Sequence, residues 1–257
     1  MRGVSRAFAR PERTRRPLPF LDYIGPVSCY FANIVRKSKL NHMKRFAASA
    51  AFLLLFVVAG NVRADDLSPL LKQAPGLKAE VLRLALNAAK KAEEAGLVQR
   101  RDLLTVIDYS IPSSQPRLFV FDLGAKKLLF RELVAHGKNS GDNVTTAFSN
   151  SPGSLETSLG LFVTADTYTG HNGYSLRLKG LDEGFNDMAL DRAIVLHGAA
   201  YVSYEAVKVL GRLGRSWGCP AVSSLVSKKI IDTIRGGSAV FAYYPDKAWM
   251  ATSVFLH

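Results

Sequence analysis

Apolar positions along the chain fall into three regimes: an apolar run from Phe46 to Ala59, a helically spaced stripe after Leu77, and short β-type runs from Leu103 onward. In the second, Leu77, Val81, Leu84, Ala85 and Ala88 lie on one face, with charges elsewhere and Gly96 placed to end the element, which predicts an amphipathic helix over 77–95. The residues before it, 65–76, read as a polar, proline-containing lead-in. In the third, runs at 103–109, 117–122 and 127–135 are separated by Pro112, Pro116 and Gly124-Ala125, the pattern of an antiparallel meander.

Further along, 158–164 leads into a strand, and the glycines in Tyr168-Thr169-Gly170-His171-Asn172-Gly173-Tyr174 mark a tight turn before a strand at 175–178. Residues 192–197 form the most continuous β-type run. A helix is expected at 201–210, ending at Gly211, and a second at 225–234, capped by Ser223 or Ser224 and stopped by Gly236-Gly237. A last strand covers 238–244. The fold class is mainly β with flanking helices, α+β.

The apolar run 46–59 changes how the rest is read. Lys44-Arg45 precedes it and Val62-Arg63-Ala64 follows, so 43–64 has the basic start, short apolar centre and small-residue cleavage site of a secretory signal. Fourteen residues fall short of the roughly 20 that a spanning helix needs. No permanent membrane anchor is therefore expected, and the protein is expected to be exported to the periplasm or cell envelope. Residues 1–42 are Arg- and Pro-rich without periodicity and read as an over-extended N-terminus, with Met43 the better start. That leaves a helical segment at 65–101 and a catalytic domain at 102–257.

Charge must be counted after this division. The whole chain carries +13, but 12 of its 34 Lys and Arg and 2 of its 21 Asp and Glu lie in 1–64, leaving 22 against 19, a net charge of about +3. The basicity is mostly leader, so nucleic acid is not implied as a partner.

Cys29 falls in the leader, so Cys219 is the one cysteine left in the exported part, unable to form an internal disulfide and exposed to oxidants. It lies in Gly211-Arg212-Leu213-Gly214-Arg215-Ser216-Trp217-Gly218-Cys219-Pro220, with His197 twenty-two positions upstream at the end of a strand run. Nucleophile and base is the chemistry this pair suggests. A helix starting soon after Cys219 would favour the thiolate through its N-terminal partial charge. The N–H groups of Gly218 and Cys219 could face a developing oxyanion, and Ser216 could bond the imidazole or shape the loop. Arg215, Trp217, His136 and Tyr201 are the candidate substrate contacts around them, although a turn histidine such as His136 is more commonly satisfied by backbone.

At these residues the chain resembles the L,D-transpeptidase family, closest to its murein L,D-transpeptidase catalytic domain branch. The family signature is a strand-end His followed about twenty residues later by Ser-His-Gly-Cys, here His197 and Ser216-Trp217-Gly218-Cys219. The likeness extends through Leu104 to Ser110, Val134 to Lys138, Phe148-Ser149-Asn150, Gly173 to Leu176, and His197-Gly198-Ala199 with Tyr201-Val202. It implies a mainly β catalytic domain, a sandwich or mixed sheet, with Cys219 as nucleophile, His197 as base and an oxyanion site near Gly218. The implied substrate is a peptidoglycan stem peptide, whose terminal D-alanine is expelled before an amine or water resolves the thioester. Two positions depart from the pattern: Trp217 replaces the second histidine, and Pro220-Ala221 replaces the usual residues after the cysteine.

Two other readings use the same residues. A sortase-like or cysteine-peptidase activity on envelope proteins would need a stabilising arginine or a carboxylate, for which Arg235 and Asp191 are candidates. A murein-binding module without turnover would keep the loop and lose the chemistry. The spacing of His136, His171, His197 and His257 supports no metal site, and thioester chemistry needs no cofactor.

Overall fold

The computed structural model describes residues 64–257, so the expectations for 1–42 and for the signal lie outside the described residues. The chain opens with two helices, α1 (Ala64–Leu71) and α2 (Ala79–Glu94). The first is a correction: Pro69 sits inside α1, so this stretch reads as a lead-in from sequence, yet it is helical because Leu67 and Leu70 bury against the core. In α2 the predicted stripe is the buried face, with Val81, Leu82, Leu84, Ala85, Ala88 and Ala92 packed inward.

The meander follows as β1 (Arg100–Asp108), β2 (Leu118–Asp122) and β3 (Lys127–Glu132), with the short β4 (Val134–Ala135) split from its end. Then come β5 (Gly160–Gly170) and β6 (Gly173–Gly180), which form a hairpin around His171-Asn172, β7 (Val195–Ala199) and α3 (Tyr204–Leu210). The last elements are β8 (Ala221–Ser223), α4 (Ser227–Ile234), β9 (Ser238–Tyr243) and α5 (Lys247–Thr252). All nine strands join one mixed sheet in the order β3-β2-β1-β9-β5-β6-β7-β8-β4. The pairs β1–β9 and β7–β8 are parallel and the others antiparallel.

Both faces of the central strands are covered. Every residue of β9 is buried, and α2 and α4 share one apolar core with β1, β9 and β7. The helical segment is therefore part of the same core as the sheet. A smaller cluster, Leu133, Ala135, Ala199, Val202, Leu213 and Ala221, sits over β4, β7 and β8 and fixes the root of the cysteine loop. Among the described residues no helix is long and apolar enough to cross a membrane.

The helix expected at 225–234 forms with its start two residues later, but Cys219 does not lead into it directly. Ala221–Ser223 instead form β8, pairing in parallel with β7 and antiparallel with β4, and α4 starts only at Ser227 with Val226 at its N-cap and no side-chain cap. A three-residue strand held by two non-local partners leaves little local signal, whereas serines before a helical stripe give a strong one.

Candidate active site

The parallel β7–β8 pair brings the two candidate residues together. His197 is in register with Ala221, two residues after Cys219, and the Cys219 thiol lies against the backbone just upstream of His197. Its Sγ accepts from the Val195 N–H at 3.4 Å and donates to the Ala193 carbonyl at 3.7 Å.

His197 is oriented by a backbone carbonyl. Its Nδ1 lies 3.0 Å from the Gly198 oxygen, and since a carbonyl only accepts, the ring proton sits on Nδ1 and Nε2 is left as a bare acceptor. No hydrogen bond joins thiol and imidazole among the described residues. Burial pushes the Cys219 pKa up, against the opposing pull of the Val195 N–H and the Arg192 guanidinium, while burial pushes His197 down. The resting pair is a neutral thiol beside a neutral imidazole. This corrects the expectation of a thiolate held by a helix N-terminus, since β8 lies between Cys219 and the start of α4 at Ser227.

The loop that presents Cys219 is held from within. The Ser216 hydroxyl donates to the Cys219 carbonyl at 2.6 Å and accepts from the Gly218 N–H at 3.1 Å. Ser216 thus shapes the loop and makes no bond to the imidazole. The Gly218 N–H, expected to face an oxyanion, is already engaged; the N–H groups of Trp217 and Cys219 have no acceptor among the described residues and are the free donors at this point. Glycine is required at 218: its φ is +122°, and an added Cβ would lie 2.8 Å from the Glu156 carbonyl oxygen.

The four candidate substrate contacts separate. Trp217 is 78% exposed on the loop tip two residues before the thiol. Tyr201 is half-buried, and burial pushes its hydroxyl up to about 12, so it stays neutral. Arg215 is stapled to the neighbouring loop, bonding the Gly141 carbonyl at 3.1 Å and Asp142 at 3.1 Å. His136 is removed from the substrate surface altogether. It is 1% exposed, accepts from Arg117 Nη2 on Nδ1 at 2.7 Å, and donates from Nε2 to the Gly141 carbonyl at 3.3 Å.

Sequence reasoning missed two arginines. Arg117 immediately precedes β2 and reads as an ordinary polar flank, yet it is fully buried under the site. Arg192 opens a predicted strand, but its half-buried guanidinium lies next to the cysteine loop, bonded to the Ser149 and Glu156 carbonyls at 2.6 Å each. The only signal for either is a cation at the edge of an apolar run, which most often means solvent. Of the other two candidates, Asp191 is exposed, and Arg235 is exposed and 3.9 Å from Asp232 near the end of α4. Among the described residues no group of three His, Cys, Asp or Glu could hold a metal ion.

The family model described as L,D-transpeptidase catalytic domain matches residues 73–243, from the α1–α2 connection to the end of β9, and so takes in every strand and the whole cysteine loop. The chain belongs to this family. No curated protein matches the sequence. Solved structures it is similar to include an L,D-transpeptidase from Mycobacterium smegmatis, 14% identical over 56% of this chain and 59% of that one with a TM-score of 0.35. An L,D-transpeptidase from Stackebrandtia nassauensis is 15% identical over 64% and 68%, with a TM-score of 0.35. The helical cell shape determining protein of Campylobacter jejuni is 12% identical over 56% and 48%, with a TM-score of 0.39. The chain thus spans less than two thirds of the first of these. At such scores the likenesses carry no argument, and membership rests on the sequence match.

Proposed function

We propose that this L,D-transpeptidase family member is an exported acyl transferase that acts on peptidoglycan stem peptides through a thioester on Cys219. The observation that carries the reading is a thiol set against the strand that bears His197, an imidazole whose Nε2 is bare while Nδ1 is tied to Gly198. Cys219 Sγ attacks the carbonyl carbon of the third stem residue as its proton passes to His197 Nε2. The bond to the terminal D-alanine nitrogen then breaks, and the proton moves to the departing amine. An amine or water attacks the thioester, His197 takes and returns the second proton, and the thiol is restored. The N–H groups of Cys219 and Trp217 are the donors for the oxyanion. Export through the leader at 43–64 places this chemistry in the envelope.

The test is incubation of the chain, beside Cys219→Ala, with disaccharide-tetrapeptide muropeptides, followed by mass spectrometry. Loss of D-alanine with a Cys219-linked intermediate is the expected result; dimers then identify an amine acceptor and trimmed monomers identify water. Unchanged muropeptides under conditions where the thiol is reactive would overturn the substrate. One observation keeps the sortase-like reading as the second choice: an arginine does lie beside the thiol, Arg192 in place of Arg235. Transfer between envelope-protein peptides in the same assay, without D-alanine release, would favour it.

A further inference from the structure

We propose that Arg192 is the positioning residue of the nucleophile, seating the 149–158 segment against the cysteine loop and supplying the fixed positive charge beside which the Cys219 thiolate forms. The inference rests on Cys219 being the nucleophile and is independent of what the substrate is. Four oxygens hold the guanidinium. Nη1 donates to the Ser149 carbonyl and the Ser158 hydroxyl, and Nη2 donates to the Ser154 hydroxyl at 3.0 Å and the Glu156 carbonyl at 2.6 Å. All four acceptors are uncharged. No carboxylate is within ion-pair distance among the described residues, and that of Glu156 acts only at longer range.

The segment that Arg192 gathers is the wall on which the nucleophile rests. The Glu156 carbonyl and Arg192 Nη2 would lie 2.8 and 3.4 Å from a Cβ placed on Gly218. Thr157 Oγ1 accepts from the Gly137 N–H at 2.9 Å and donates to the Gly218 carbonyl at 3.3 Å. The backbone next to Arg192 is bent to serve the same point. Ala193 has a φ of +53°, unusual for a residue with a Cβ, and its carbonyl receives the Cys219 thiol. Leu155, with φ +57°, makes a second such turn in the gathered segment. Both left-handed residues therefore flank one cation that is locked in place without an anionic partner.

The titratable groups that face Cys219 are few. Tyr109 just after β1 and Tyr201 after β7 are both pushed up by burial and stay neutral, and His197 on β7 is pushed down by burial. Arg192 is the full charge that acts on the sulfur at neutral pH, and it acts to favour the thiolate. Its four Nη donors are spent on the 149–158 segment, so it works by position and field.

The experiment reads the thiol itself. The full chain, Arg192→Gln and Arg192→Lys are alkylated with iodoacetamide from pH 6 to 10, and peptide mass spectrometry scores Cys219 separately from Cys29. Circular dichroism confirms that each protein is folded. Arg192→Gln is expected to raise the alkylation midpoint and slow modification at pH 7 by about tenfold. Arg192→Lys, which keeps the charge and loses the planar fork, is expected to fall closer to the parent. If Arg192→Gln keeps the parent midpoint, or if Lys is no better than Gln, the charge role is overturned. Should Arg192→Gln fail to fold, Arg192→Lys decides alone: a midpoint near that of the parent supports the proposal, and a tenfold loss at pH 7 overturns it. No stem peptide enters the assay, so its outcome does not depend on the substrate assignment.

Discussion

Two arginine–histidine neighbourhoods flank the cysteine loop, and they are built to opposite ends. Under the loop, Arg117 and His136 are saturated: the arginine bonds the Val134 carbonyl at 3.0 and 2.9 Å, the Ile111 carbonyl at 2.9 Å and Thr145 at 3.1 Å, and both imidazole nitrogens are taken. Beside the loop, Arg192 and His197 are incompletely satisfied. The imidazole spends one nitrogen on Gly198 and keeps the other, and among the described residues the guanidinium charge has no counter-ion within ion-pair distance. The same residue types therefore make a closed strut in one place and leave unsatisfied groups in the other. What separates them is the count of free donors and acceptors, which no residue type reveals by itself.

The sharpest way to break the comparison is to remove the reactive side. Cys219→Ala is expected to abolish thioester formation and turnover, and His197→Gln to lower kcat/KM by about 10² to 10⁴ with little change in unfolding free energy, the range for losing a general base. Muropeptide turnover and urea unfolding measured on the same preparations check both halves. The strut should respond in reverse. Arg117→Met leaves the carbonyls of Val134 and Ile111 without their donor in a closed core, which is expected to cost about 3–5 kcal/mol in urea. If Arg117→Met unfolds like the parent while His197→Gln does not, the two roles have been assigned the wrong way round.

Acid should find the strut next. Burial and then the Arg117 charge press the His136 pKa down to about 4, so in the folded protein it remains neutral where an unfolded chain would take up a proton. The stability this represents is fully present above the unfolded-state value near 6.5 and is lost as pH falls through about 4, with a total of about 3 kcal/mol. Urea midpoints between pH 7 and 4 should fall accordingly, and His136→Gln, which cannot titrate, should flatten that slope. An unchanged slope in the variant would move the acid sensitivity to another group.

Much of the scaffold was legible because its elements carry local patterns: the stripe of α2, the three runs of the meander, and the αL Gly211 that ends α3. That the Cys219 loop and the His197 strand belong to one site was suggested by an unpaired cysteine in a glycine-rich loop and a strand-end histidine, and the structure sets the two segments side by side. The hidden features all depend on distant partners. β8 exists because β7 and β4 flank it, α1 because Leu67 and Leu70 find the core despite Pro69, and α5 because Trp249 buries against Phe241 and Tyr243. Arg117 and Arg192 look like surface cations in one dimension and become a buried strut and a fixed charge only when the 134–158 loops close over them.

The smallest expected effect tests how the reactive side is held. Ala193 sits at φ +53° between Arg192 and Ile194, in the left-handed region where a Cβ costs roughly 1–2 kcal/mol. Glycine would remove that strain and add roughly 0.5–1 kcal/mol of backbone entropy to be lost on folding. Ala193→Gly is therefore expected to shift stability by less than about 1 kcal/mol, toward stabilisation. Activity need not follow. The carbonyl that receives the Cys219 thiol belongs to this residue, and Arg192 precedes it, so a more mobile hinge is expected to lower kcat several-fold while the protein becomes no less stable. The contrast with an equally left-handed position away from the thiol is direct: Lys126→Gly, at φ +52° in the β2–β3 turn, should give a similar stability change and full activity. If both glycine variants retain full turnover, the bend at Ala193 serves the fold alone, and the reactive neighbourhood is held by Arg192 and the cysteine loop without it.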